Sequence, residues 1–151
     1  MRERERFFCA LESQANREQI FGTVARIDSW LLIEYPGVWR HHALDDSRLL
    51  GPEVKQNLRR LPVDRILMVR QQHDWTHELS AFRVESAAES PSITRYPLGS
   101  YDDLLRMNGP GERVDNLMFA VCTHARHDKC CAKFGIAVWC SMRDHAPERA
   151  W

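Results

Sequence analysis

The sequence predicts a mixed α/β fold, a sheet of short strands with helices packed against it, and three observations carry that expectation. Short apolar runs recur at Ser29–Glu34, Arg65–Arg70, Leu79–Val84 and Asn116–Cys122. Between the first two, Val54, Leu58 and Leu61 are spaced as on one face of a helix. No internal repeat or low-complexity tract interrupts the order, and strands interleaved with helices define a layered mixed architecture. At 151 residues the chain is sized for a single domain, 1–151, able to bury roughly two thirds of the surface its unfolded form exposes.

Residues Arg2 to Phe21 carry apolar positions at loose helical spacing behind an alternating charge run, which reads as a solvated terminus of little structural weight. Ser29-Trp-Leu-Leu-Ile-Glu34 is closed by Tyr35-Pro36-Gly37. Proline removes a ladder donor and glycine permits a turn, so a buried strand with a sharp exit is expected, the first central strand of the sheet. Pro52 suits a first helical turn and Pro62 stands past the last, bracketing a helix from Gly51-Pro52 to Leu61. Arg65–Arg70 and the alternating Leu79–Val84 are expected as strands, paired in an antiparallel hairpin across His73-Asp-Trp-Thr-His77. Ser92–Pro97 reads as an edge strand because of its proline. Ser100 is placed to cap a short helix from Tyr101 to Met107, and Asn108-Gly-Pro-Gly111 is a strong break. Asn116-Leu-Met-Phe-Ala-Val-Cys122 is an uninterrupted apolar run of the kind buried on both faces, the clearest strand expected, and it delivers Cys122 at its end. Asp128 is placed to cap a helix from Lys129 into Met142, stopped by Pro147.

Charge narrows the function classes. Lysine plus arginine and aspartate plus glutamate number 21 each, for a net charge of +0, which offers no electrostatic footprint for nucleic acid or an anionic membrane. The N-terminus lacks the apolar core of a secretory signal, and no stretch reaches the ~18 apolar residues of a membrane span, so a soluble cytoplasmic protein is expected. The five cysteines, Cys9, Cys122, Cys130, Cys131 and Cys140, are odd in number and crowded toward one end. That is a poor disulfide framework; in a reducing compartment clustered cysteines more often bind metal or do redox chemistry.

Ligands for one metal must converge from different pieces of backbone. On a helix Cys130 and Cys131 project about 100° apart, so Cys122 with one of them is the better pair. Cys131 falls in the first helical turn, where unpaired amides and the dipole lower a thiol pKa. The spacing leaves open buried structural thiols instead. Cys9 reads as a mobile or lightly packed thiol and Cys140 as a helix-core thiol, neither with a ligand role, and Trp30, Trp39 and Trp139 read as core.

Cys122-Thr-His-x-x-x-Asp-x-Cys-Cys131, followed by Ala-Lys-Phe-Gly135, resembles the cysteine signature of the sucrase/ferredoxin-like family, and Trp30-Leu-Leu-Ile-Glu-Tyr-Pro-Gly37 with Trp39 resembles that family's first strand and turn. The similarity spans nearly the whole chain. It implies a thioredoxin-like mixed sheet flanked by helices and holding a 2Fe-2S cluster, an electron carrier rather than an enzyme, serving a redox partner protein. By the same resemblance Cys122 and Cys131 are the cysteine ligands, acting with two histidines of a later His-x-x-x-His motif. The chain reaches Pro147-Glu-Arg-Ala-Trp151 about where the strand before that motif is expected, which implies a domain incomplete at its C-terminal end. Cys130, His124 and His127 are the substitute ligands nearest to hand, although His124, within the signature, reads first as loop-shaping. His73 to His77 is the one His-x-x-x-His spacing present and lies in a polar turn where histidines are ordinarily solvated.

Two cysteines per chain also fit a symmetric homodimer that donates each of them twice. Sucrose cleavage is not implied, because glycoside hydrolysis needs two opposed carboxylates and the neighbours Asp45-Asp46 and Asp102-Asp103 read as caps and surface charge. A cluster-free thiol protein and a non-catalytic truncated fragment are the competing expectations.

Overall fold

A computed structural model describes residues 8–19, 25–71, 78–86, 89–107, 109–126 and 128–151. Its strands β1 (Ser29–Glu34), β2 (Arg65–Val69), β3 (Leu79–Glu85), β4 (Ser92–Leu98) and β5 (Glu112–Val114) form one mixed, open sheet in the order β2-β1-β3-β4-β5. Around it lie α1 (Cys9–Ala15), α2 (Pro52–Leu58), a 3-10 turn (Tyr101–Arg106) and a C-terminal helix that is π-helical over Cys131–Gly135 and continues as α3 (Ile136–His145). The fold is thus α/β, in a layout consistent with a thioredoxin-like arrangement. No helix among the described residues is long and apolar enough to cross a membrane.

The apolar run of β1 is continuous because both of its faces are covered. Leu31 and Ile33, with Tyr35 beyond the strand end, pack against Val54 and Leu58 of α2 and Leu104 of the 3-10 turn, while Leu32 points the other way onto Val69 and Phe82. A strand buried on both faces has neighbours on both edges. β1 accordingly pairs in parallel with β2, from Trp30↔Arg65 to Glu34↔Val69, and antiparallel with β3, from Ser29↔Glu85 to Ile33↔Ala81. This corrects the hairpin expected between β2 and β3. The segment through α2 is long enough for a parallel crossover, so β1 comes to lie between the two.

At the strand starts, Asp64 Oδ2 accepts hydrogen bonds from the Asp28 amide (3.0 Å), the Ser29 amide (2.8 Å) and the Ser29 hydroxyl (3.0 Å). The Ser29 backbone bond, then its side-chain bond and that of the Asp28 amide, hold the Asp64 carboxyl below its ordinary value of 3.8. A lowered folded value means that this contribution is complete above about pH 3.8 and is lost as pH falls through the folded value. Thermal midpoints followed on acidification are therefore expected to fall more steeply for the native chain than for Asp64→Asn; parallel curves would exclude the effect.

β4 was expected at the edge, yet it lies between β3 and the short β5. The β5 ladder covers only Ile93, Thr94 and Arg95 and stops before Pro97, so the missing proline donor does not force β4 outward. After β4, Ser100 Oγ accepts from the Asp102 amide at 3.3 Å and Asp103 Oδ2 accepts from the Ser100 amide at 2.9 Å, closing a reciprocal cap. Ser100→Ala is expected to cost about 1 kcal/mol, read as a fall of roughly 2–4 °C in thermal midpoint.

The larger correction concerns Asn116–Cys122, which is not a strand of the sheet and is not buried. Leu117 is 67% and Phe119 38% exposed. β1, β3 and β4 already have neighbours on both sides, and this run instead meets the C-terminal residues in a short parallel ladder. The Phe119 amide donates to the Arg149 carbonyl (2.8 Å), the Trp151 amide to Phe119 (2.9 Å) and the Val121 amide to Trp151 (3.0 Å). Met118 and Trp151 give it partial cover on the Leu32–Phe82 face, with the Trp151 ring 4.9 Å from that of Phe82. The helix expected to reach Leu61 ends at Leu58; Trp39 and Trp30 are half-buried and pack against the two core clusters, whereas Trp139 is half-buried outside them.

Candidate metal centre

The ladder through Val121 ends at Cys122, and the loop that follows is fastened at several points. The Asp128 amide donates to the His124 carbonyl at 3.2 Å, and Asp128 Oδ1 accepts from the Cys130 amide at 2.7 Å, an N-cap on the C-terminal helix. His124 Nε2 donates to the Arg40 carbonyl at 2.7 Å, and its ring stands edge-on to Trp39 with centroids 5.9 Å apart. The other side of that contact is held by Arg70, whose guanidinium lies 5.3 Å from the Trp39 ring and donates to the Pro36 (3.2 Å) and Gly37 (2.7 Å) carbonyls. The turn that ends β1 therefore sets the position of the cysteine loop.

Gly135 is what lets the loop lie on the helix. Its backbone is ordinarily helical (φ −63°, ψ −40°), so no unusual dihedral calls for glycine there. A Cβ at this position would instead overlap the Cys122 carbonyl oxygen. With the loop against the helix, Cys122 Sγ comes within 3.1 Å of Cys131 Sγ, an exposed thiol beside a half-buried one. A π-helical stretch begins at Cys131, a deviation common at functional positions.

The direction of the Cys131 pKa reverses the expectation from its place near a helix start. Burial first, and then its contact with Cys122, push this thiol up to about 12. Removal from water disfavours the anion, and the contact with Cys122 acts in the same direction.

Cys130, adjacent on the helix, points to a different partner. Its Sγ lies 3.1 Å from Cys9 Sγ of α1, and Cys9 also donates to Asp128 Oδ2 at 3.4 Å. The Ala10 amide donates to Cys130 Sγ at 3.5 Å. α1 is docked there by Phe8, whose ring meets Phe134 edge-on at 6.0 Å and carries Lys133 Nζ 4.3 Å from its centroid. Hydrogen bonding to Cys130 and then to Asp128 pushes the Cys9 thiol up to about 11.

The structure thus brings Cys122 and Cys131 together, draws Cys130 toward Cys9, and engages His124 with the turn after β1. His73, His77 and His127 lie outside the described residues. Cys9 was missed as a site residue because 121 positions separate it from Cys130. The signal available was geometric: once Cys131 faces Cys122, its helical neighbour must face elsewhere. The carboxylate pairs considered for hydrolysis are otherwise engaged, Asp45 with Arg59 and Asp103 in the Ser100 cap.

Two thiolates sharing one tetrahedral metal at ~2.3 Å stand about 3.8 Å apart, and a disulfide holds its sulfurs at about 2.05 Å. Both sulfur pairs lie between these limits and nearer the first. No family model, curated protein or solved structure matches the chain significantly.

Proposed function

We propose that the protein is an iron-sulfur redox protein of sucrase/ferredoxin-like type, an electron carrier in which Cys122 and Cys131 hold one iron of a 2Fe-2S cluster. The observation that carries this reading is the 3.1 Å approach of these two sulfurs from separate backbone segments. When bound, such a cluster exchanges one electron at a time, with a potential set by burial and by hydrogen bonds to sulfur. The exposed Cys122 leaves an edge open to a redox partner. Cys130 and His124 have other engagements, so the remaining ligands come most simply from Cys122 and Cys131 of a second copy in a homodimer.

The competing reading as a cluster-free reactive thiol is weakened at Cys131, whose thiol is pushed up by burial and by its contact with Cys122. Chain produced anaerobically with intact iron-sulfur assembly is expected to be brown, with thiolate-to-iron absorption and near-equal iron and sulfide. A colourless product under those conditions overturns the proposal.

A further inference from the structure

We propose that Cys9, Asp128 and Cys130 form a second metal site, separate from the Cys122–Cys131 pair, that takes one thiophilic divalent cation of the zinc class and fastens α1 to the C-terminal helix. The donor atoms of all three side chains lie within 4.8 Å of one another. Individual separations are 3.1 Å between the sulfurs and 3.4 Å from Cys9 Sγ to Asp128 Oδ2. A tetrahedral ion with bonds of ~2.3 Å to sulfur and ~2.0 Å to oxygen asks for roughly 3.8 and 3.5 Å, so the two sulfurs move apart by about 0.7 Å while Cys9 and Asp128 already stand near the required spacing. Neither Cys122 nor Cys131 belongs to this group.

The carboxylate is aimed before any ion arrives. Asp128 Oδ1 accepts the Cys130 amide at 2.7 Å, which turns Oδ2 toward Cys9, the kind of supporting hydrogen bond that orients a ligand. The thiol side is held as firmly, since the Phe8–Phe134–Lys133 stack docks α1 independently of the sulfurs. Two sulfurs and one carboxylate are a borderline-soft donor set that suits zinc over magnesium or calcium, and three protein ligands leave a fourth position for water. Binding releases the thiol protons, and the cation takes the place of the hydrogen bonds that join the three groups without it.

Cobalt(II) is the probe, because tetrahedral thiolate coordination gives it intense near-ultraviolet and visible bands. The full chain, reduced and anaerobic, is expected to bind one cobalt per chain at this site, to be displaced by zinc(II), and to do so equally in Cys122→Ser. In Cys9→Ser the affinity is expected to fall roughly 100-fold or more, and in Asp128→Asn, which keeps the helix cap, roughly 10-fold. Thermal melting without metal checks that both variants fold.

Unchanged cobalt bands in Cys9→Ser would overturn the proposal, as would their loss in Cys122→Ser, which would put the ion on the other sulfur pair. Failure of the iron-sulfur reading shows separately, as a colourless product whose cobalt site is intact.

Discussion

Gly135→Ala is expected to destabilise the protein by about 2 kcal/mol or more and to prevent cluster assembly, although the same substitution in an unobstructed helix interior stabilises by about 1 kcal/mol. Two effects of opposite sign meet here. Alanine gains helix propensity because Gly135 has ordinary helical dihedrals. Against this, the new methyl overlaps the Cys122 carbonyl oxygen, with the carbonyl carbon 3.1 Å away and Thr123 Cα at 3.7 Å. Those atoms are backbone, and no side-chain rotation relieves the contact, so either the helix or the cysteine loop must shift. The loop is the weaker partner. It is held by His124 on the Arg40 carbonyl and by the short ladder of Phe119 and Val121, and its displacement separates Cys122 from Cys131. A fall of roughly 4–8 °C in thermal midpoint, with iron incorporation reduced to background, is the expected result. A Gly135→Ala variant that is more stable and still assembles a cluster would show that the approach of Cys122 to the helix is unimportant.

The parts of this fold that were legible in the sequence are those where local chemistry and burial agree. Ser29–Glu34 is apolar on both faces and closed by Pro36-Gly37, so pattern and stop signal give the same strand; Pro52 marks the start of α2 in the same way. Asp128 is legible as a cap because a short carboxylate just before a helix can accept from its first free amides.

What was misread depends on partners that an apolar pattern does not name. Asn116–Cys122 carries the composition of a buried strand, yet its place is decided by which edges of the sheet are already taken, and its partner is the distant segment Arg149–Trp151. β5 is short and begins Glu112-Arg113, leaving no alternation to see. Cys9 has no local signature at all. Its approach to Cys130 arises from Phe8 docking on Phe134, a contact between the start of the described chain and the C-terminal helix.

Cys131→Ser is expected to abolish iron and sulfide binding and, with it, the dimer, whereas Cys140→Ser retains both. A 2Fe-2S cluster takes four protein ligands, and Cys122 with Cys131 supplies two of them from one chain. The nearest substitutes are already engaged: Cys130 with Cys9 and the Ala10 amide, and His124 with the Arg40 carbonyl and the Trp39 ring. Recruiting either would cost the docking of α1 or the anchoring of the loop, while a second copy brings the same pair of thiols without breaking a contact described here. One cluster per two chains, a mass that halves when Cys131 is replaced, and retained cobalt binding at Cys9–Asp128–Cys130 are then expected together, the last showing that the variant still folds. A monomer carrying a full cluster would instead place the missing ligands within one chain, and loss of that cluster in Cys130→Ser would identify the first of them.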